Sequence, residues 1–135
     1  DIKMISQQSA DFDRNKAMEV TESMLQANPD VNAIFCGNDA MAMGAYQAVL
    51  AAGKSGVIQI YGFDGADDVI DAIREGKIKA TGMQFPKTMA KTAADFANEY
   101  IKKGKKDFPQ KVPVAVELVN ADNVGDYGSY EKAAK

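Results

Sequence analysis

Four side chains suited to holding a hydroxyl-rich ligand stand at the ends of apolar runs in this sequence: Phe12, Asn38, Asp64 and Gln84. The face of an aromatic such as Phe12 packs on the C–H face of a sugar or polyol ring. The amides of Asn38 and Gln84 both donate and accept, and the carboxylate of Asp64 accepts two strong bonds. Together such groups satisfy vicinal hydroxyls. They also reject analogues without hydroxyls, because the site's own polar groups would be left unpaired. Each residue has a plain structural use as well. Asn38 and Asp39 stand where helix N-caps belong, Asp64 before Gly65 suits a turn, Phe12 suits a core, and Gln84 beside Phe85-Pro86 suits an exposed loop.

Other chemistry finds little support. The chain has no histidine, which removes the commonest general base and metal ligand. Cys36 is the only cysteine and lies in the apolar run Ala33-Ile34-Phe35-Cys36, where it suits a buried small hydrophobe. Gly53-Lys54-Ser55 matches the end of a phosphate-binding loop, but Ala48 stands where that loop needs glycine. Asp64, Asp67 and Asp68 lack the spacing of an EF-hand loop. No catalytic residue, metal site or cofactor is therefore expected. The net charge is -3 and no basic cluster occurs, which argues against nucleic acid or an anionic membrane as the partner. No apolar run approaches the roughly 20 residues of a membrane span.

The elements that must position these residues alternate between strand-like and helical runs. With 135 residues, 46% of them hydrophobic and 26% charged, the chain suits one globular domain. Lys3–Ser6 reads as a first strand and 13–26 as a helix, with Ala17, Val20, Met24 and Leu25 apolar. Residues 32–36 read as a buried strand, and a helix capped by Asn38 or Asp39 runs to Ala52. Val57–Phe63 is the clearest strand. A turn at Asp64-Gly65 leads to a helix over 67–74, then a strand over 79–84. Pro86 opens a longer helix to Lys103, and 112–119 is the last strand. The methionines at 18, 24, 41, 43 and 89 fall on helices and are expected to pack in the core. Such alternation implies right-handed crossovers and an α/β fold with an open parallel sheet and helices on both faces. Ligands of such sheets bind beyond the carboxyl ends of the strands, which is where Phe12, Asn38, Asp64 and Gln84 fall.

At these residues the sequence resembles the C-terminal part of the ribose-binding-protein-like periplasmic sugar-binding proteins, the solute receptors of bacterial ABC importers. The matching blocks are Ala10-Asp11-Phe12-Asp13-Arg14, NPDVNAIFCGNDAMAMGAYQAVLAAGK from Asn28 to Lys54, Tyr61-Gly62-Phe63-Asp64-Gly65, and GKIKATGMQFP from Gly76 to Pro86. The resemblance implies the periplasmic binding protein type I fold. It implies that Phe12 stacks on a sugar, that Asn38 and Asp64 bond its hydroxyls, and that Gln84 is a polar contact at the hinge. Phe63 would add a wall, and Arg14 would face the permease.

Members of this family have two α/β lobes and roughly twice this length, so the resemblance implies an incomplete half. Residues 1–84 would be most of the C-terminal lobe. Residues 85–119 would cross the hinge and pack on the missing N-terminal lobe, and 120–135 would be a polar, irregular tail. Asp1 would mark a processing or fragment boundary, with the N-terminal lobe elsewhere or on a separate chain. The implied function is that of a non-enzymatic receptor for a monosaccharide or polyol. Its partner would be an ABC permease, and it would work in the periplasm or lipid-anchored at a Gram-positive cell surface. The alternative is the effector domain of a sugar-responsive repressor, which shares the fold. An enzyme on a flavodoxin-like fold has neither phosphate loop nor histidine to work with.

Overall fold

The computed structural model describes residues 2–128 and 130–132. Helix α1, Arg14–Ala27, starts at Asp13, whose side chain accepts from the Lys16 amide at 2.8 Å. Strand β1, Ala33–Phe35, follows, then helix α2, Asp39–Ala51, capped by Asn38. Strand β2, Gln59–Asp64, leads to helix α3, Asp67–Arg74, and strand β3, Ala80–Met83. Pro86 occupies the first turn of helix α4, Pro86–Lys103, which ends on Gly104 in the left-handed conformation. Strand β4, Glu117–Asn120, closes the sheet. A short 3-10 turn, Val124–Asp126, precedes a hairpin of β5, Tyr127–Gly128, and β6, Glu131–Lys132.

The sheet order is β1-β2-β3-β4. The first three strands are parallel, as expected, but β4 is antiparallel. The reason lies in the return path. Met83, at the end of β3, pairs with Glu117, at the start of β4, so the chain re-enters the sheet at the end where it left. The last strand is thus shorter than 112–119 and runs against its neighbour. Its Val119 is fully buried, so the end of segment 85–119 belongs to this sheet.

Two further expectations are corrected. Lys3–Ser6 forms no strand. Ile2, Met4 and Ile5 are exposed, and neither sheet edge receives their backbone; an isolated extended segment has no ladder to stabilise it. The described residues of the tail from Asn120 are not irregular throughout either: they include the 3-10 turn and the β5–β6 hairpin, and Val124 and Tyr127 anchor them in the core.

The order also decides which face is covered. Right-handed crossovers that step in one direction put their helices on one side. The crossovers carrying α2 and α3 both step the same way, and α1 packs on α2. The core of Ile60, Val69, Ile70, Ile73 and Met83 lies on that side. A helix on the second face needs a step in the opposite direction, which the described strands do not contain. That face accordingly leaves Phe35 74% and Leu118 63% exposed. Helix α4 buries none of its residues. Of the methionines, Met41 and Met43 pack on the core, whereas Met18 on α1 and Met89 on α4 are exposed.

Helices α1 and α2 touch at Gly44. A Cβ there would stand 2.1 Å from the Arg14 carbonyl oxygen and 3.2 Å from the Ala17 Cβ. Gly44→Ala gains helix propensity of about 1 kcal/mol but must push a backbone atom aside. We expect a net loss of about 1–3 kcal/mol in urea unfolding. An unchanged midpoint would show that α1 is free to shift.

Candidate functional site

Phe12 sits in a tight turn before α1. Asp11 and Phe12 both take positive φ, 50° and 58°, and the Asp13 amide donates to the Ala10 carbonyl at 2.9 Å. Two consecutive left-handed non-glycine residues are costly and persist only where their surroundings hold them. Here Asn38 does so: its Nδ2 donates to the Phe12 carbonyl at 3.3 Å while its Oδ1 accepts from the Met41 amide at 2.8 Å. The Phe12 ring lies over Gly37 and remains 68% exposed. It is therefore not a core residue, and Asn38 caps α2 and braces the Phe12 turn at once.

Asp64 and Gln84 form a second pair. Gln84 Nε2 donates to Asp64 Oδ1 at 2.7 Å, and the Gln84 amide donates to the Asp64 carbonyl at 2.9 Å. Asp64 has φ of 133° and the following Gly65 has φ of 89°. A Cβ on Gly65 would meet Met83 at 2.7 Å, so only glycine fits this turn.

Asp39 joins the two pairs, a bridging role that its place at the start of α2 does not reveal in the sequence. It is 1% exposed. Its Oδ2 accepts from the Gly65 and Ala66 amides at 2.8 and 2.7 Å, and its Oδ1 accepts from the Thr81 hydroxyl at 2.7 Å. The residue next to Asn38 thus holds the residues next to Asp64. Burial, the largest influence, raises the Asp39 carboxyl above its usual range, and the charge of Asp64 adds to the rise. Bonds from Thr81, Ala66 and Gly65 act against it. Cys36 is buried beside it and its thiol is pushed up to about 12, mainly by burial.

The structure therefore brings Phe12 to Asn38 and Asp64 to Gln84. Phe63 turns the other way. Its ring packs on Gly82 near Val116 and lines a hollow of about 250 Å³ with Phe35, Tyr61 and Leu118 on the uncovered sheet face. Arg14 pairs with Asp68 across the N-termini of α1 and α3. Among the described residues no cluster of His, Cys, Asp or Glu suits a metal ion, and no helix is long and apolar enough to cross a membrane.

Residues 1–106 match the periplasmic binding protein domain family. The chain belongs to that family. Its relatives include the D-apiose import binding protein of Paraburkholderia graminis, 41% identical over 92% of this chain and 39% of that protein. The ribose import binding protein of Bacillus subtilis is 42% identical over 74% of this chain and 32% of that protein. Among solved structures, an ABC transporter periplasmic solute binding protein from Actinobacillus succinogenes with bound D-allose superimposes with a TM-score of 0.89. It shares 35% identity and covers 94% of this chain, which spans 44% of it. The Caulobacter myo-inositol binding protein bound to myo-inositol gives 0.82 at 32% identity, with 91% and 42% covered. As a periplasmic binding protein domain, this chain thus spans less than half the length of these relatives.

Proposed function

We propose that this chain is the C-terminal part of the solute-binding component of a bacterial ABC sugar importer. Phe12, Asn38, Asp64 and Gln84 form one jaw of a site that closes on a monosaccharide or polyol between two lobes. The observation that carries this reading is the joining of the two pairs through Asp39. It supports one aromatic face and three polar groups set at the carboxyl ends of β1, β2 and β3 and the start of α1. That the relatives bind ribose and apiose for import supports the receptor over a repressor.

The bare surfaces support the missing half. The open sheet face and the exposed apolar residues of α4, Met89, Tyr100 and Ile101, suit contact with further protein. In this reading residues up to Gln84 together with β4 make most of one lobe, and α4 reaches the N-terminal lobe. The permease docks on the closed receptor, in the periplasm or at the surface of a Gram-positive cell. Titration calorimetry of the complete two-lobed protein against pentoses, hexoses and polyols tests it. Saturable heat with at least one of them is expected. A folded protein that binds none overturns the reading.

A further inference from the structure

The β5–β6 hairpin reaches the Asp64–Gly65 turn, the end of α3, β4 and the first turn of α4. The Tyr130 amide donates to the Gly65 carbonyl at 3.1 Å, one residue beyond Asp64. The carbonyl of Tyr127 accepts from Arg74 Nη2 at 2.7 Å, at the end of α3, and the buried Tyr127 ring sits in the core. The Tyr127 hydroxyl donates to Glu117 Oε2 at 2.6 Å on β4, and Lys132 pairs with the same carboxylate at 2.9 Å. Glu131 pairs with Lys87 at 2.7 Å in the first turn of α4, three residues after Gln84. The hairpin therefore spans from the Asp64 turn to the helix on which the chain leaves Gln84.

The turn needs such holding. Asp64 at φ of 133° is a backbone conformation that L-residues rarely adopt, and its cost must be met by neighbours. Asp39 grips the turn from inside through the amides of Gly65 and Ala66. The carbonyl of Gly65 faces the other way and is taken by Tyr130. Tyr130 itself has φ of 53°, so its N–H is aimed by a second strained residue. Its phenol is raised above the usual range, first by burial and then by the charge of Asp64.

We propose that the C-terminal hairpin is a positioning strap for the ligand site: the Tyr130 N–H, aimed by Arg74 and Tyr127, holds the Asp64–Gly65 turn in its binding conformation. This rests on the sugar-receptor reading. Within it, Tyr130 and Arg74 are positioning residues that act on the ligand through Asp64.

Two pairs of variants in the complete receptor test the strap. Tyr130→Pro removes the N–H and forbids positive φ. Tyr130→Gly keeps both. The Pro variant is expected to bind sugar about tenfold more weakly, with hydrogen exchange at the Gly65 amide accelerated, while the Gly variant binds within about twofold of the parent. Arg74→Ala and Arg74→Lys repeat the comparison without touching Tyr130, should the Pro variant not fold. The Ala variant is expected to lose affinity and the Lys variant to recover part of it. Parental affinity in both Tyr130→Pro and Arg74→Ala overturns the strap. Equal losses in the Pro and Gly variants overturn it too, since they place the effect in the Tyr130 ring. If the parent binds no sugar at all, the receptor reading fails separately. The strap is then decided by exchange at Gly65: acceleration in Tyr130→Pro sustains it, and parental exchange overturns it.

Discussion

Asp64→Ala in the complete receptor is expected to weaken sugar binding by about 100-fold or more. Each hydrogen bond to a charged group contributes roughly 1.5–3 kcal/mol, and a carboxylate facing vicinal hydroxyls accepts two of them. The loss is compounded at Gln84, whose Nε2 gives its proton to Asp64 Oδ1 and would be left without that acceptor. A second effect, backbone strain shared by the parent and the alanine variant, must be separated. At φ of 133° a Cβ is strained, by about 1–3 kcal/mol. Asp64→Gly removes the carboxylate and accepts the backbone angle. Calorimetry should show the affinity loss in both variants, while thermal unfolding should show the glycine variant more stable than the alanine variant, since only glycine relieves the strain that parent and alanine share. Parental affinity in the glycine variant would remove Asp64 from the site.

The helices were largely legible because their ends are written locally. Asp67–Arg74 and Pro86–Lys103 agree with expectation residue for residue, since Pro86 suits a first turn and Gly76 and Gly104 stop what precedes them. The misjudged elements depend on what lies beside them. Lys3–Ser6 has strand-like residues but no neighbouring strand. The direction of β4 is set by where the chain returns after α4, and no periodicity within the strand encodes that. The uncovered face follows from strand order, which a list of strands and helices does not contain.

For the candidate site, the cap at Asn38 was legible and its grip on Phe12, 26 residues away in sequence, was not. Asp39 escaped for the same reason: its partners are 26, 27 and 42 residues distant. One sequence clue pointed to it. Gly62 interrupts the clearest strand, and a strand glycine marks the close approach of another group. That group is Asp39, whose Oδ1 would stand 2.2 Å from a Cβ on Gly62.

Asp39→Ala is expected to destabilise the lobe by about 3–5 kcal/mol, because it leaves two amides and a buried hydroxyl without their acceptor. Asp39→Asn should cost far less. An asparagine Oδ1 can receive the Gly65 and Ala66 amides while its Nδ2 donates to Thr81, leaving only the Thr81 hydroxyl proton unplaced. The comparison also has a pH signature. The carboxyl of Asp39 is raised in the folded state above its ordinary value of 3.8. Between those two values the folded protein binds more protons than the unfolded chain, so this group's contribution to stability falls as pH rises. It is largest below about 3.8 and becomes a constant cost above the raised value. Carboxylates held low by cations, such as Glu99 beside Lys105, act in the opposite sense and are common to parent and variant. Urea unfolding across this range should therefore show Asp39→Asn gaining on the parent as pH rises through it, then holding a constant difference. A parallel pair of pH curves would mean that Asp39 titrates alike in both states. The turn bearing Asp64 would then be held by hydrogen-bond geometry without any electrostatic cost from the buried charge.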